Sequence, residues 1–199
     1  MSAVKDEKRK QIELPSPELV KAERSRLRRS RQFRRLLINT IAVLLVVAAV
    51  AVLLVTLFLP VLRVTGTSME PSLADGDVIV LAKTRDFHSG DLCAVRVSGS
   101  VLLKRMIAGP GDWVDIDMDG NVYVNDELLA EPYVTEKSLG ISDLTYPYQV
   151  PDNCVFVMGD HRSVSVDSRS KEVGCIPYEH MIGRVLFRIW PLQDFRWMG

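Results

Sequence analysis

The sequence predicts a mainly β protein, with a single amino-terminal transmembrane helix followed by an extracytoplasmic domain of antiparallel strands. Three observations carry that expectation. Residues 36–59 form an unbroken apolar run, short β-branched stretches recur between turn signals after residue 60, and no long amphipathic helical pattern occurs beyond that point.

The 24 residues 36–59 hold no charge and only Asn39, Thr40 and Thr56 as polar members. At about 1.5 Å per residue they cross a hydrocarbon core of about 30 Å with some tilt. A cleaved secretory signal has a shorter apolar region, of about 7–15 residues, and a buried core helix shows a polar face. Neither description fits.

Orientation follows from charge. Residues 1–35 hold 12 Lys/Arg against 5 Asp/Glu, whereas residues 36–199 hold 13 against 20, so the formal neutrality of the chain conceals two oppositely charged ends. The cluster RSRLRRSRQFRR at 24–35 abuts the apolar run. Positive flanks stay inside, which makes residues 1–35 a cytoplasmic basic tail and places 60–199 outside a single-pass cell-membrane anchor. Nucleic acid is the rival partner for such a cluster. Its position against the helix favours topology and attraction to anionic lipid instead, so the lipid bilayer is the expected partner and nucleic acid is not. The tail up to LPSP at 14–17 reads as poorly ordered.

Residues 60–199 are numerous enough to bury a core of their own. Strands are predicted at DVIVLAK (77–83), DLCAVRV (91–97), SVLLKRMI (100–107), WVDIDM (113–118), NVYVN (121–125), NCVFVM (153–158) and GRVLFRIW (183–190). Turn chemistry separates them, and MDGNVYVNDELL reads as a hairpin entered through Asp119-Gly120. The segment 138–151 reads as a long, mobile connection. At the carboxyl end Trp190, Phe195, Trp197 and Met198 lie close together, either as interfacial anchors or as core. Cys93, Cys154 and Cys175 permit one disulfide, and buried, chemically idle thiols are expected. No spacing of His or Cys suggests a metal.

Chemistry concentrates in three blocks. GTSMEPSL (66–73) places Ser68 only eight residues beyond Pro60, at most about 28 Å of extended chain from the end of the apolar run. A serine nucleophile needs a base within hydrogen-bond reach, and no histidine lies in the next nineteen residues. In the strand SVLLKRMIAGPGD (100–112), alternation puts Lys104 on one face with Leu102 and Met106, and Arg105 on the other with Leu103 and Ile107. An amine buried beside apolar neighbours favours its neutral form and can take the serine proton, which a guanidinium cannot do. A solvated surface lysine is the plainer reading of that residue alone. The third block, VFVMGDHRSVSVDSR (155–169), crowds hydroxyls, carboxylates and guanidinium groups after an apolar strand. There Asp167 and Arg169 can pair to brace the loop, and Ser165 can hold a neutral amine.

In that order, the three blocks resemble the serine, lysine and glycine-aspartate boxes of bacterial type I signal peptidases. The likeness extends through GDVIVLAK, DGNVYVNDELLAEPY, VPDNCVFVMGD and GRVLFRIWP, and the single anchor resembles the short form common in Gram-positive bacteria. It implies a β catalytic domain of signal-peptidase type, with a smaller inserted β region at about 110–152. Ser68 resembles the nucleophile, Lys104 the general base and Ser165 the residue that orients the amine. Asp160, Arg162, Asp167 and Arg169 resemble the structural members of the last box. Val64, Met69, Leu73, Leu102 and Leu103 correspond to positions lining shallow apolar subsites, with ordinary core packing the alternative for all five.

The implied activity is removal of signal peptides from exported preproteins after small residues, of Ala-X-Ala type, through an acyl-enzyme and without cofactor or metal. Preprotein signal peptides, the bilayer and the secretion translocase are the implied partners. Two positions depart from the family pattern. Gly66 stands where some members carry a serine that completes the oxyanion hole, leaving backbone or Thr67 to supply the second donor. His161 stands where asparagine is common, which invites a Ser-His-Asp reading, although Lys104 already fits the base. The alternatives are another Ser/Lys membrane protease, such as a pilin or conjugation peptidase, and a catalytically silent, membrane-tethered binding module. A self-cleaving repressor has no reason for a spanning helix.

Overall fold

The structure, a computed structural model, describes residues 16–198. The part of the basic tail at 1–15 lies outside the described residues. Helix α1 (Pro17–Phe58) starts well before the apolar run. Pro17 occupies a position where a missing N–H costs nothing, and Glu18 complements the positive end of the helix. From 18 to 59 there is neither glycine nor proline, so the Arg-rich stretch before 36, made largely of good helix formers, simply continues the helix. The boundary expected at residue 36 marks a change of hydropathy, to which the backbone is indifferent. Pro60 stops the helix. Arg26–Leu57 is long and apolar enough to cross a membrane, its most apolar 18-residue stretch having mean hydropathy 3.0.

Among the described residues, those before Leu54 form one compact unit and those from Leu54 onward another. The second holds the strands β1 (Val61–Arg63), β2 (Val78–Ala82), β3 (Leu92–Val97), β4 (Ser100–Ala108), β5 (Trp113–Ile116), β6 (Val122–Val124), β7 (Glu127–Leu128), β8 (Tyr148–Gln149), β9 (Cys154–Met158), β10 (Ile176–Pro177), β11 (Met181–Trp190) and β12 (Arg196–Trp197). The seven β-branched stretches of the sequence coincide with β2 to β6, β9 and β11. The remaining strands are two or three residues long, too short to show alternation.

All pairings are antiparallel. The larger sheet runs β1-β2-β11-β3-β4-β9-β10, with β12 beside β11, and the smaller runs β7-β6-β5-β8. The smaller sheet thus occupies 113–149. Its first hairpin turns at Asp117, whose carboxylate accepts the amides of Asp119 and Asn121 at 3.0 and 2.8 Å. The second turns at Asn125 and Asp126, both at positive φ (54° and 68°), as a two-residue hairpin turn requires. Strand β11 carries register shifts against both neighbours, which bend it and curl the sheet. Gly183 belongs there because a Cβ would meet the Ala82 carbonyl oxygen at 2.3 Å.

Three apolar clusters fill the unit. One packs Val64, Met69 and Leu73 on Ile79, Leu81, Leu92 and Val185. A second joins the two sheets through Ile107, Val114, Val122, Phe156 and Met158. The third lies on the opposite face of β3, β4 and β9 and holds Cys93, Val95, Met106, Val155 and Val157. Each fully buried Val, Leu, Ile, Phe or Met contributes about 1.5–3 kcal/mol relative to its exposed state.

Several expectations change. The 138–151 segment is fastened rather than loose, because Arg169 donates to the Ser138 and Leu139 carbonyls at 3.2 and 2.8 Å and the Asp143 amide donates to the Arg169 carbonyl. All three thiols are free, but only Cys93 is buried. Burial pushes the Cys93 thiol up to about 12 and Cys175 to about 11, so neither is a ready nucleophile. At the carboxyl end the cluster divides: Met198 packs on the first core cluster, while Trp190, Phe195 and Trp197 are more than half exposed. Phe187 stacks on Phe195 and meets Trp197 edge-on, holding the outer rings in place.

A buried ion pair ties the arm after β7 to the loop after β9. Arg162 donates through Nη1 (3.1 Å) and Nη2 to the Glu131 carboxylate, and both side chains are fully buried. Glu131→Ala would strand a buried guanidinium and lower stability in denaturant unfolding by about 3–5 kcal/mol. The double variant Glu131→Leu with Arg162→Met should lose markedly less.

Candidate active site

Pairing creates the cleft. Strand β4 pairs with β3 over Ser100–Arg105, but with β9 only from Arg105 onward, so Val101–Lys104 keep an open edge. Strand β1 lies at the end of the sheet and has a second open edge. Between them is a cleft of about 150 Å³, walled by Leu62–Gly66, Ser68 and Met69 on one side and by Val101–Lys104 on the other.

Ser68 lies in a loop pinned at its base, where the Val64 amide donates to the Asp77 carbonyl (2.8 Å) and the Gly76 amide to the Val64 carbonyl (3.0 Å). It opens a turn in which the Leu73 amide donates to the Met69 carbonyl at 2.9 Å. Lys104 comes from the middle of β4 and is 3 % exposed. Its Nζ lies 3.1 Å from Ser68 Oγ and 2.9 Å from Ser165 Oγ, both hydrogen-bond distances.

Burial of the amine lowers the Lys104 pKa from its ordinary 10.5, and the nearby Arg169 adds to this; Asp167 and Asp160 oppose it. Between that lowered value and 10.5 the unfolded chain binds more protons than the folded one, so stability rises with pH through this window. The burial cost is fully present below the folded-state value and gone above 10.5. Such an amine gives up its proton more readily than an exposed lysine, and in its neutral form it can take the proton of the hydroxyl beside it.

The loop after β9 braces this pair. Asp167 and Arg169 form two contacts, Nε to Oδ1 at 2.8 Å and Nη2 to Oδ2 at 2.9 Å. Asp167 also accepts the Gly159 amide (2.9 Å), and the Ser168 hydroxyl accepts the Val157 amide (3.0 Å). Asp160 takes Arg105 Nε at 2.8 Å and Nη2 at 2.6 Å, while Arg105 Nη2 also donates to Ser72 Oγ. The Tyr133 ring covers that guanidinium, 3.8 Å from its carbon to the ring centre.

The structure therefore brings Ser68, Lys104 and Ser165 together and sets Asp160, Arg162, Asp167 and Arg169 around them. Val64, Met69, Leu102 and Leu103 line the cleft. Leu73 does not: it is fully buried behind Met69 in the core. The Gly66 amide is engaged by Asp75 Oδ1 at 2.8 Å and so is not a free backbone donor, while Thr67 is exposed.

His161 contributes through its backbone, whose amide donates to the Ser68 carbonyl at 3.1 Å. Its side chain makes no hydrogen bond to Ser68, and its buried Nδ1 has no partner among the described residues, whereas a Ser-His-Asp triad needs both contacts. Glu131 and Tyr133 carry no local signal in the sequence, since their partners lie about 30 residues away. Among the described residues no cluster of His, Cys, Asp and Glu could hold a metal.

A hydroxyl and a desolvated amine on a mainly antiparallel β scaffold are the furnishings of a serine hydrolase that dispenses with histidine. The family model Signal peptidase, peptidase S26, matches residues 37–190. Signal peptidase I U of Bacillus subtilis (strain 168) is 33% identical over 174 residues, which cover 80% of this chain and 91% of that protein. Signal peptidase I of Bacillus licheniformis is 34% identical over 169 residues, covering 78% and 89%. Thylakoidal processing peptidase 1 of Arabidopsis thaliana is 34% identical over 145 residues, 64% of this chain but 41% of that protein. Among solved structures, a signal peptidase I from Enterococcus faecalis V583 aligns with TM-score 0.41 and 26% identity over 50% of this chain and 96% of that one. The chain belongs to the signal peptidase family, peptidase S26, whose signal peptidase I members are serine endopeptidases.

Gly159 is the tightest point of the site, where an added Cβ would fall 2.2 Å from Ser165 Oγ and 2.6 Å from the Ser68 carbonyl. Gly159→Ala should cut kcat at least about tenfold while KM changes little, because a misplacement of about 1 Å near reacting groups has that order of effect.

Proposed function

We propose that this protein is a membrane-anchored signal peptidase I that cleaves preproteins after small residues of Ala-X-Ala type, with Ser68 as nucleophile and Lys104 as general base. The observation that carries the proposal is the buried Lys104 amine, 3.1 Å from Ser68 Oγ and lowered in pKa by loss of water. An extended peptide adds as a strand between the two open edges, so that backbone hydrogen bonds hold it regardless of sequence. Its last residue before the scissile bond meets Val64, Met69 and Leu103, which leave room for a small side chain.

Ser68 gives its proton to the Nζ lone pair as Oγ bonds to the carbonyl carbon. The resulting oxyanion is met by the Ser68 amide, which has no other acceptor among the described residues, and by the Thr67 hydroxyl, each worth about 3 kcal/mol in comparable sites. The ammonium of Lys104 then protonates the leaving amine as the C–N bond breaks. Water, deprotonated by the same amine, clears the ester and releases the new carboxylate. Ser165 holds Nζ on line throughout.

Helix α1 serves as the anchor, its amino end inside, with the exposed rings of Trp190, Phe195 and Trp197 suited to the headgroup layer. A tethered enzyme meets signal peptides whose apolar segments lie in the same bilayer, which raises the effective concentration and lets specificity rest on small pockets.

With detergent-solubilised protein and a preprotein whose signal ends in Ala-X-Ala, Ser68→Ala and Lys104→Met should each remove cleavage, and His161→Asn should retain it. Near-normal cleavage by Lys104→Met contradicts the dyad. For the wild type, kcat/KM should rise with pH along a limb centred below 10.5, as the amine loses its proton. A limb at the ordinary lysine position rules out the desolvated base.

A further inference from the structure

A second groove, of about 290 Å³, lies beside the cleft and is walled by Val97, Ser100, Leu102, Val166, Glu172 and Val173. Leu102 lines both spaces. The faces of β4 separate here: Leu103 packs with Val64, Met69 and Leu73, whereas Leu102 packs with Val95 and Met106 on the other side of the sheet. On the peptidase reading, upon which this inference rests, a substrate strand beside β4 must alternate in the same way. If the residue before the scissile bond points to the Leu103 face, the one preceding it points to the Leu102 face. Val166 follows Ser165 directly in sequence, which keeps the groove next to the catalytic amine.

We propose that this groove is the subsite for the second residue before the cleavage point, P2, and that it selects a long side chain with an apolar stem and a cationic head, lysine or arginine. Two features of the groove support this. Its walls at Val97, Leu102, Val166 and Val173 suit a methylene stem. At its edge Glu172 is exposed, and among the described residues its carboxylate has neither hydrogen bond nor ion pair, while its amide is fixed by Ser170 Oγ at 3.2 Å. Lys171, the neighbouring cation, is not part of the wall.

The test uses the full chain in detergent and peptides with Ala at P1 and P3 and Lys, Gln, Glu or Ala at P2. The readout is the ratio of kcat/KM values within each enzyme, so changes in overall activity cancel. Wild type should prefer Lys over Gln by about two- to fivefold, as expected of an exposed charge pair, and Gln over Glu by a similar factor. The preference should shrink in high salt. Glu172→Gln should bring the Lys/Glu ratio towards one, and Glu172→Lys should invert it. A wild-type Lys/Glu ratio of one or less, or a ratio that Glu172→Lys leaves unchanged, overturns the subsite. Failure of wild type to cleave even the peptide with Ala at P2 overturns the peptidase reading instead.

Discussion

The arrangement depends on keeping one amine out of water without giving it a negative partner. Lys104 sits in the middle of a strand with apolar neighbours on both sides, and its two contacts are neutral hydroxyls. A carboxylate in either place would hold the proton on nitrogen. The carboxylates that are close, Asp160 and Asp167, are each taken by their own arginine, Arg105 and Arg169. The crowded charges of the last loop thus brace Ser165, while Arg169 offsets part of the field by which Asp167 and Asp160 favour the protonated amine.

On the proposed reading, the same strand supplies the substrate platform. Strand β9 leaves β4 at Arg105, and the chain then enters the Gly159–Ser165 turn instead of continuing to pair. One departure therefore produces both an open strand edge and the loop that positions the amine. Alternation along β4 then places Leu103 on the face of the cleft and Leu102 on the face of the second groove. Glu131 and Tyr133, from the arm after β7, hold Arg162 and cover Arg105, so the smaller sheet contributes to the stiffness of the loop without entering the cleft.

Much of this was legible in sequence because the signals are local. The β-branched runs at 78–82, 92–97 and 100–108 announce their strands, and alternation alone separates Lys104 from Arg105. The Asp167–Arg169 pair, two residues apart, needs no tertiary knowledge. The contacts that stayed hidden are non-local. Arg162 meets Glu131 across 31 residues, and nothing near either residue names the other. Leu73 looks like a cleft residue from its place in the serine box, yet the turn from Met69 carries it into the core. Hydropathy marks the apolar run but is silent on where the helix starts, since arginine and lysine favour helix as readily as leucine does.

The central claim, that the Lys104 amine is uncharged when the enzyme works, is open to direct titration. Lysine side chains labelled with ¹³C and ¹⁵N, observed by NMR in the detergent-solubilised wild type and assigned by the resonance missing from Lys104→Met, report protonation of Nζ as pH is varied. The account predicts that Lys104 titrates below the ordinary 10.5. A Lys104 resonance that titrates with the solvent-exposed lysines, or above them, contradicts it.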